Sequence, residues 1–357
     1  MLTLSALLLA LPAAALPQDR IQYTDGTSRG GRIVSATLDQ VRIEADGSEA
    51  TSPASDVLSI RFGTLPASLA QAQDFLLTLD YQNAVNLLDA ATAEPEPAAM
   101  IARLRKAEAL LAWSDLDPGQ AGEAGAAFRD WTATYPDHFL LPRARIGLAR
   151  AIANGGKVDQ AAQELEDVAS LSFEKNLPVT VEFGARLARC QVYLKGGQTS
   201  VAATRLQDLV PKMQRAHSSS DTPKGVRAAL RDLIAEGQVM LGDAIELNQG
   251  MSAAQSYWDG LLRADGLGAD VRAAATLGLA KAARAGGQPR RAQLLAVRVV
   301  ATMPASDEIS ARALFLLGEI TTELGDDIAA GRTYFRQVMD RYPGTPWAIK
   351  ARQMAGE

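Results

Sequence analysis

A nucleophile–histidine pair, a metal centre or a phosphate-binding loop each needs particular side chains at particular spacing, and few residues here qualify for a test. The chain of 357 residues has two histidines and one cysteine. His138 follows Tyr135-Pro136-Asp137, and His217 sits in the polar stretch Ala216-His-Ser-Ser-Ser-Asp-Thr-Pro223; neither has a carboxylate or thiol at ligand spacing. One cysteine excludes an internal disulfide framework, and this Cys/His inventory disfavours a structural zinc site. Cys190 lies in the helical pattern Gly184-Ala-Arg-Leu-Ala-Arg-Cys190 and reads as a buried small hydrophobe. Asp115-Leu-Asp117-Pro-Gly119 resembles the start of a calcium loop. That loop needs glycine at its sixth position and glutamate at its twelfth, and Gln120 and Ala126 stand there. A helix–helix turn with an aspartate N-cap is the better reading. Glu94-Pro-Glu96, Glu164-Leu-Glu166-Asp167 and Asp326-Asp327 fall at turns or on polar helix faces. The glycine pairs at 155–156, 196–197 and 286–287 lack both the preceding strand and the following Lys-Ser/Thr of a phosphate loop. These residues assign no catalytic, cofactor-binding or metal site, so the chain is expected to be no enzyme and to carry no cofactor.

The glycines have a different use. From Pro66 onward apolar residues recur with helical period, and one unit repeats: Gly, four residues, Ala, then an apolar face. It appears as Gly156-Lys-Val-Asp-Gln-Ala161, Gly197-Gln-Thr-Ser-Val-Ala202, Gly287-Gln-Pro-Arg-Arg-Ala292 and Gly325-Asp-Asp-Ile-Ala-Ala330. A fifth copy, Leu79-Asp-Tyr-Gln-Asn-Ala84, lacks the glycine. The glycine is expected to end one helix in a left-handed cap, and the alanine to mark where the next helix crosses at close range. Further glycines, Gly147, Gly278 and Gly318, precede three of these units.

On these residues the chain resembles the tetratricopeptide repeats. Gly318-x6-Gly325-x4-Ala330 matches that family's spacing, while Gly147 to Ala161 and Gly278 to Ala292 are each two residues longer. Two units end in Tyr135-Pro136 and Tyr342-Pro343, which looks like the repeats of envelope-assembly and cell-division coordinator proteins of bacterial periplasms. The resemblance covers about 290 residues and implies an α-solenoid. About seven helix pairs are expected, over 66–93, 97–135, 140–171, 178–214, 223–263, 268–303 and 306–342, with a capping helix at 345–355 and a bend at 216–223. The solenoid thus occupies 66–357.

The resemblance also implies that the first helix of each pair lines a concave surface. Arg103, Arg143, Arg186, Arg227, Arg272 and Arg312 fall in such helices. Arg272 and Arg312 stand in equivalent places, six residues before the repeat glycine. Arg186, Arg227, Arg272 and Arg312 are candidate partner-binding residues, able to hold an acidic or C-terminal peptide segment by charge-assisted hydrogen bonds. The competing reading, salt bridges to the neighbouring repeat's Asp and Glu or a solvated face, is favoured because helix charges are usually surface groups. Trp113, Trp131, Trp258 and Trp347 read as gap fillers between alanine-rich helices rather than as a ligand platform.

Residues 18–63 have another texture. Short β-branched runs, Ile21-Gln-Tyr23, Ile33-Val34, Val41-Arg-Ile43 and Val57-Leu-Ser-Ile60, alternate with Asp25-Gly26 and Asp46-Gly47 turns. They predict a small antiparallel β module of four or five strands, capping the solenoid and leaning on its first helices. The fold class is therefore mainly α: a tetratricopeptide-like α-solenoid of helix–turn–helix repeats with a small N-terminal antiparallel β module.

Composition agrees. Alanine supplies 65 residues while aromatics make up 5%, which suits helices whose backbones approach closely. A formal net charge of −5 gives no basic footprint for nucleic acid. Residues 1–17 are uncharged, with an apolar run Leu2–Leu11 followed by Pro12-Ala13-Ala14-Ala15-Leu16-Pro17. They read as a secretory signal peptide without a basic n-region, implying a periplasmic or secreted protein. No other stretch approaches transmembrane length. The expected function is a non-catalytic scaffold in the bacterial cell envelope that binds a protein or peptide partner on its concave surface. A structural subunit of an envelope assembly or secretion complex is the alternative; an enzyme with a site in the groove is disfavoured.

Overall fold

Asp46 and Gly47 both take positive φ, 52° and 74°, which lets two residues join β3 (Gln40–Ala45) to β4 (Ser48–Pro53) in a tight hairpin. With β1 (Asp19–Tyr23), β2 (Ser28–Ala36) and β5 (Val57–Arg61), these form one antiparallel five-stranded sheet in the order β4-β3-β2-β1-β5. Alternation puts Ile21, Val41, Ile43 and Val57 on one fully buried face. The computed structural model describes residues 18–63, 65–325 and 328–356. The signal-peptide reading of 1–17 and the Asp326-Asp327 pair lie outside the described residues.

Beyond the sheet every long element is helical. The helices come as antiparallel pairs: α1 (Ala67–Leu77) with α2 (Tyr81–Ala91), α3 (Ala98–Ser114) with α4 (Ala121–Thr134), and α5 (Leu141–Asn154) with α6 (Val158–Glu174). Next are α7 (Val179–Lys195) with α8 (Thr199–Ser218) and α9 (Lys224–Gln249) with α10 (Met251–Leu262). Last come α11 (Ala269–Ala285) with α12 (Pro289–Thr302), α13 (Asp307–Leu324) with α14 (Ile328–Arg341), and a final helix, α15 (Pro346–Ala355). The fold is a tetratricopeptide-like α-solenoid with a small antiparallel β module.

The repeat glycines act as expected. Gly156, Gly197, Gly287 and Gly325 have φ between 71° and 80°, the left-handed conformation that reverses the chain after a helix. Ala84, Ala161, Ala202 and Ala292 are fully buried. Ala330 departs from the pattern and is only half-buried. In that pair the close crossing falls one residue later, at Gly331, where a Cβ would stand 2.2 Å from Thr322 Oγ1. Four glycines inside first helices, Gly147, Gly242, Gly278 and Gly318, have a role that spacing did not reveal: each admits an aromatic ring. Phe128 lies against Gly147 and Phe335 against Gly318, while Trp258 is clamped between Gly242 and Gly278. Two large rings, Trp131 and Trp258, thus fill the gaps that an alanine-rich core leaves.

The β module does more than cap one end. Its β2–β3 turn pairs with the α4–α5 loop: Leu38 N donates to Asp137 O at 2.9 Å and Phe139 N to Ala36 O at 3.1 Å. Lys175, after α6, binds Asp39 at 3.1 Å. The β1–β2 turn then reaches α9, where Thr24 O accepts from Gly225 N at 2.7 Å. The module therefore runs along one edge of the solenoid across three successive inter-repeat connections. Ala216–Ser218, expected in a linker, continue α8, and residues 219–223 form the short turn beside which the hairpin docks. At the far end, Gly344, between α14 and α15, packs against the last residue of α1: a Cβ there would lie 3.4 Å from Leu77 O. The last pair thus touches the first.

Candidate functional site

The first helices of successive pairs stack side by side and are tied by ion pairs. Arg143 grips Glu108 through two nitrogens at 2.6 and 2.9 Å, joining α5 to α3. Lys281 binds Glu246 at 2.5 Å, joining α11 to α9, and Arg284 binds Glu319 and Glu323 at 3.0 and 2.7 Å, joining α11 to α13. Two contacts skip a helix altogether. Arg312 of α13 holds Asp243 of α9 with both terminal nitrogens, at 3.1 and 2.8 Å. Lys195 of α7 binds Asp115, the residue that ends α3, at 2.8 Å. Flat stacking would separate alternate helices by about 16–20 Å, farther than such side-chain pairs reach. The first-helix face is therefore concave.

Two recesses open on this face. One, of about 500 Å³, is floored by Ala235, Val239, Met240 and Ile309 and spans α7, α9, α11 and α13. Asp232, Glu236, Asp243, Asp270 and Glu308 stand around it. The other, of about 480 Å³, is lined by Leu277, Phe315, Leu316 and Trp347 with Lys281, Arg284 and Glu319. Arg312 lines the second recess, its partner Asp243 lines the first, and their ion pair is the partition between the two. Partial desolvation at the recess wall raises the Glu236 carboxyl above its ordinary range, against the opposing charge of Arg150.

The arginines singled out in the sequence have separate fates. Arg312 is committed to Asp243 and lies 6.0 Å from the Trp347 ring. Arg186 pairs with Glu182 at 2.9 Å and Glu166 at 3.8 Å. Arg103 donates to Tyr135 Oη, which in turn donates to Glu96 at 2.6 Å. Burial is the main reason the Tyr135 phenol is pushed up to about 12, with Glu96 adding to it. Arg227 and Arg272 are exposed, and among the described residues their side chains make no hydrogen bond or ion pair. The structure does not bring Arg272, Arg227, Arg186 and Arg312 together into one clamp.

The other candidates are built into the framework. His138 sits at the joint between sheet and solenoid: Nδ1 accepts from Leu140 N at 3.1 Å and the ring meets Trp131 edge-on at 5.8 Å. Burial lowers its imidazole to about 4. Cys190 is buried, which pushes its thiol up to about 11. Asp117 caps its turn by accepting from Gly119 N at 3.0 Å. Asp115 has a role its local sequence did not disclose, binding Arg150 of α5 as well as Lys195 of α7. Trp131 and Trp258 are core residues, but Trp347 is not only a filler: it lines a recess and donates its indole N–H to Glu308 at 2.7 Å. Among the described residues, no three His, Cys, Asp or Glu side chains are grouped to hold a metal ion, and no helix is long and apolar enough to cross a membrane.

This geometry defines a class, the tetratricopeptide-like helical solenoid with a concave side-chain-lined face. No family model and no curated protein matches the sequence. Among solved structures, the chain is similar to the apo quorum sensor NprR from B. thuringiensis, at 11% identity and a TM-score of 0.47, over 81% of this chain and 79% of that one. NprR has also been solved with its cognate peptide NprX. A tetratricopeptide repeat protein from Parabacteroides merdae is similar at 14% identity and a TM-score of 0.44, over 81% and 96%. The apo form of RapI is similar at 9% identity and a TM-score of 0.43, over 81% and 80%.

Proposed function

We propose that this protein is an exported, non-catalytic scaffold of the bacterial cell envelope that holds a segment of a partner protein on the face made by α7, α9, α11 and α13. The observation that carries this reading is the pair of adjoining recesses, about 500 and 480 Å³, on one concave face with apolar floors and charged rims. Such a surface suits an extended chain, whose side chains drop into pockets while rim charges set register. The ion-pair ladder between first helices keeps the face preorganised, so little ordering cost falls on binding.

Site-specific photo-crosslinking tests it. A crosslinker at Ile309, on the groove, is expected to capture a discrete partner in cells, while one at Leu294, exposed on the outer helix α12, is expected not to. Capture from Leu294 alone would instead favour the second reading, a structural subunit. That reading would use single apolar side chains exposed on second helices, Phe173 at 84% and Leu294 at 71%. Export is tested by fractionation and N-terminal mass analysis. A cytoplasmic chain retaining residues 1–17 would overturn the envelope assignment.

A further inference from the structure

The partner chemistry that the arginines suggested in the sequence, an acidic or C-terminal segment, is not the chemistry this groove presents. Seven carboxylates and three cations line the two recesses. The three cations are all committed: Lys281 to Glu246, Arg284 to Glu319 and Glu323, Arg312 to Asp243. The carboxylates around the larger recess are not matched in the same way. Glu236 accepts from Gln191 Nε2 at 3.0 Å, Glu308 from the Trp347 indole at 2.7 Å and Asp270 from the Ser306 amide at 2.7 Å, all neutral donors. Asp232 has no side-chain hydrogen bond or ion pair among the described residues. Arg150, whose charge reaches Glu236, is itself held by Asp115.

Four carboxylates with no ion-pair partner among the described residues therefore rim one apolar trough, with the charge of Arg312 reaching Glu308 from the partition. Like charges along one wall repel each other, and a cation brought beside any of them relieves that repulsion. They are strung along α9, α11 and α13 and not gathered to a point, so separate cations spaced along a chain suit them better than one metal ion. The trough crosses four stacked helices, a span of about 24–30 Å at the usual helix spacing, which an extended peptide covers in roughly seven to nine residues.

We propose that the occupant of this groove is an extended, positively charged peptide segment, with Lys or Arg side chains at Asp232, Glu236, Asp270 and Glu308 and aliphatic side chains between them on the floor. This rests on the groove-binding reading above and adds the sign of the partner's charge.

The test is fluorescence anisotropy on the full chain with two labelled nonapeptides, (Ala-Lys-Leu)3 and (Ala-Glu-Leu)3. The lysine peptide is expected to bind at least about tenfold more tightly, with affinity falling as salt rises. The triple isostere Asp232→Asn, Glu236→Gln, Glu308→Gln keeps shape and hydrogen-bond acceptors, and circular dichroism checks its fold. It is expected to lose about tenfold or more for the lysine peptide and most of the salt dependence. Equal affinity for the two peptides, preference for the glutamate peptide, binding of neither, or an unaffected triple isostere would each overturn the proposal. Photo-crosslinking separates this from the parent reading. A partner captured from Ile309 through an acidic segment leaves the scaffold standing and removes only the charge assignment; capture from Leu294 alone removes both.

Discussion

The carbonyl oxygen of Thr24 accepts the backbone amide of Gly225 at 2.7 Å, and that of Val226 at 3.2 Å. Helix α9 begins after Pro223, whose ring carries no acceptor to cap it. The β1–β2 turn supplies the missing acceptor from the other end of the chain. Gly225 is small for the same reason: a Cβ there would stand 2.7 Å from Tyr23 O and 2.8 Å from Thr24 O. Gly225→Val is therefore expected to push the hairpin off α9 and cost about 1–3 kcal/mol through the unsatisfied amides. Hydrogen exchange at Gly225 and Val226 reads it directly; protection equal to the parent chain's would sink the idea.

Glycine substitutions in first helices are expected to act with opposite sign according to whether a ring packs against the glycine. A Cβ at Gly242 would lie 1.9 Å from the Trp258 ring, so Gly242→Ala is expected to destabilise by about 1–3 kcal/mol through overpacking. Gly184 in α7 has nothing within 4 Å of the added Cβ. There Gly184→Ala is expected to stabilise by about 0.5–1 kcal/mol, because alanine loses less entropy in a helix. Urea midpoints of the two variants, moving in opposite directions, are the check; a shared direction would contradict the packing.

Arg272 and Arg312 occupy equivalent repeat positions but not equivalent environments. Arg312 spans to Asp243 with a side chain 24% exposed. A double-mutant cycle on Arg312→Ala and Asp243→Ala is expected to give a coupling of about 1–3 kcal/mol. Arg272→Ala, at an exposed and unpaired side chain, is expected within about 0.5 kcal/mol of zero. Similar effects for the two single arginine variants would show that the skip-helix pair does not hold the concave face.

His138 couples the sheet–solenoid joint to pH. Its imidazole is lowered to about 4 in the fold, against an ordinary 6.5, because burial disfavours the charged ring. The unfolded chain therefore binds this proton more readily than the folded one. Stability is expected to fall as pH drops from about 6.5 to about 4, by on the order of 2–3 kcal/mol, and to level off for this group below that. His138→Asn keeps an acceptor for Leu140 N and removes the titration. Its stability profile is expected to be flatter than the parent's across that window; identical slopes would assign the dependence to the carboxylates.

Much of the fold is legible in the sequence, and the reason is locality. Gly156, Gly197, Gly287 and Gly325 signal their turns because a left-handed residue after a helix is a requirement of a few neighbouring peptide units. Asp46-Gly47 signals its hairpin in the same way. The alanines at 161, 202 and 292 are legible because a helix and its immediate successor must cross within a few residues of the turn. Ala330 misled because the crossing moved one residue on, to Gly331, a shift that depends on where Thr322 lies.

What the chain alone determined, then, is the class: helical pairs in series, a small sheet before them, and too few histidines and cysteines for their familiar chemistry. Three things were left to the tertiary structure. It decided that the sheet lies along the solenoid edge, since Thr24 and Gly225 meet only when intervening repeats set the curvature. It decided which arginine is free, since Arg312 finds its carboxylate 69 residues earlier, on a helix that is not its neighbour. And it decided which acidic residues share one recess, because counting charges along a sequence cannot show which carboxylates line the same wall without an ion-pair partner. Local periodicity is dictated by bonds between near neighbours; charge balance on a curved face depends on how several repeats stack, and only the folded chain brings those side chains together.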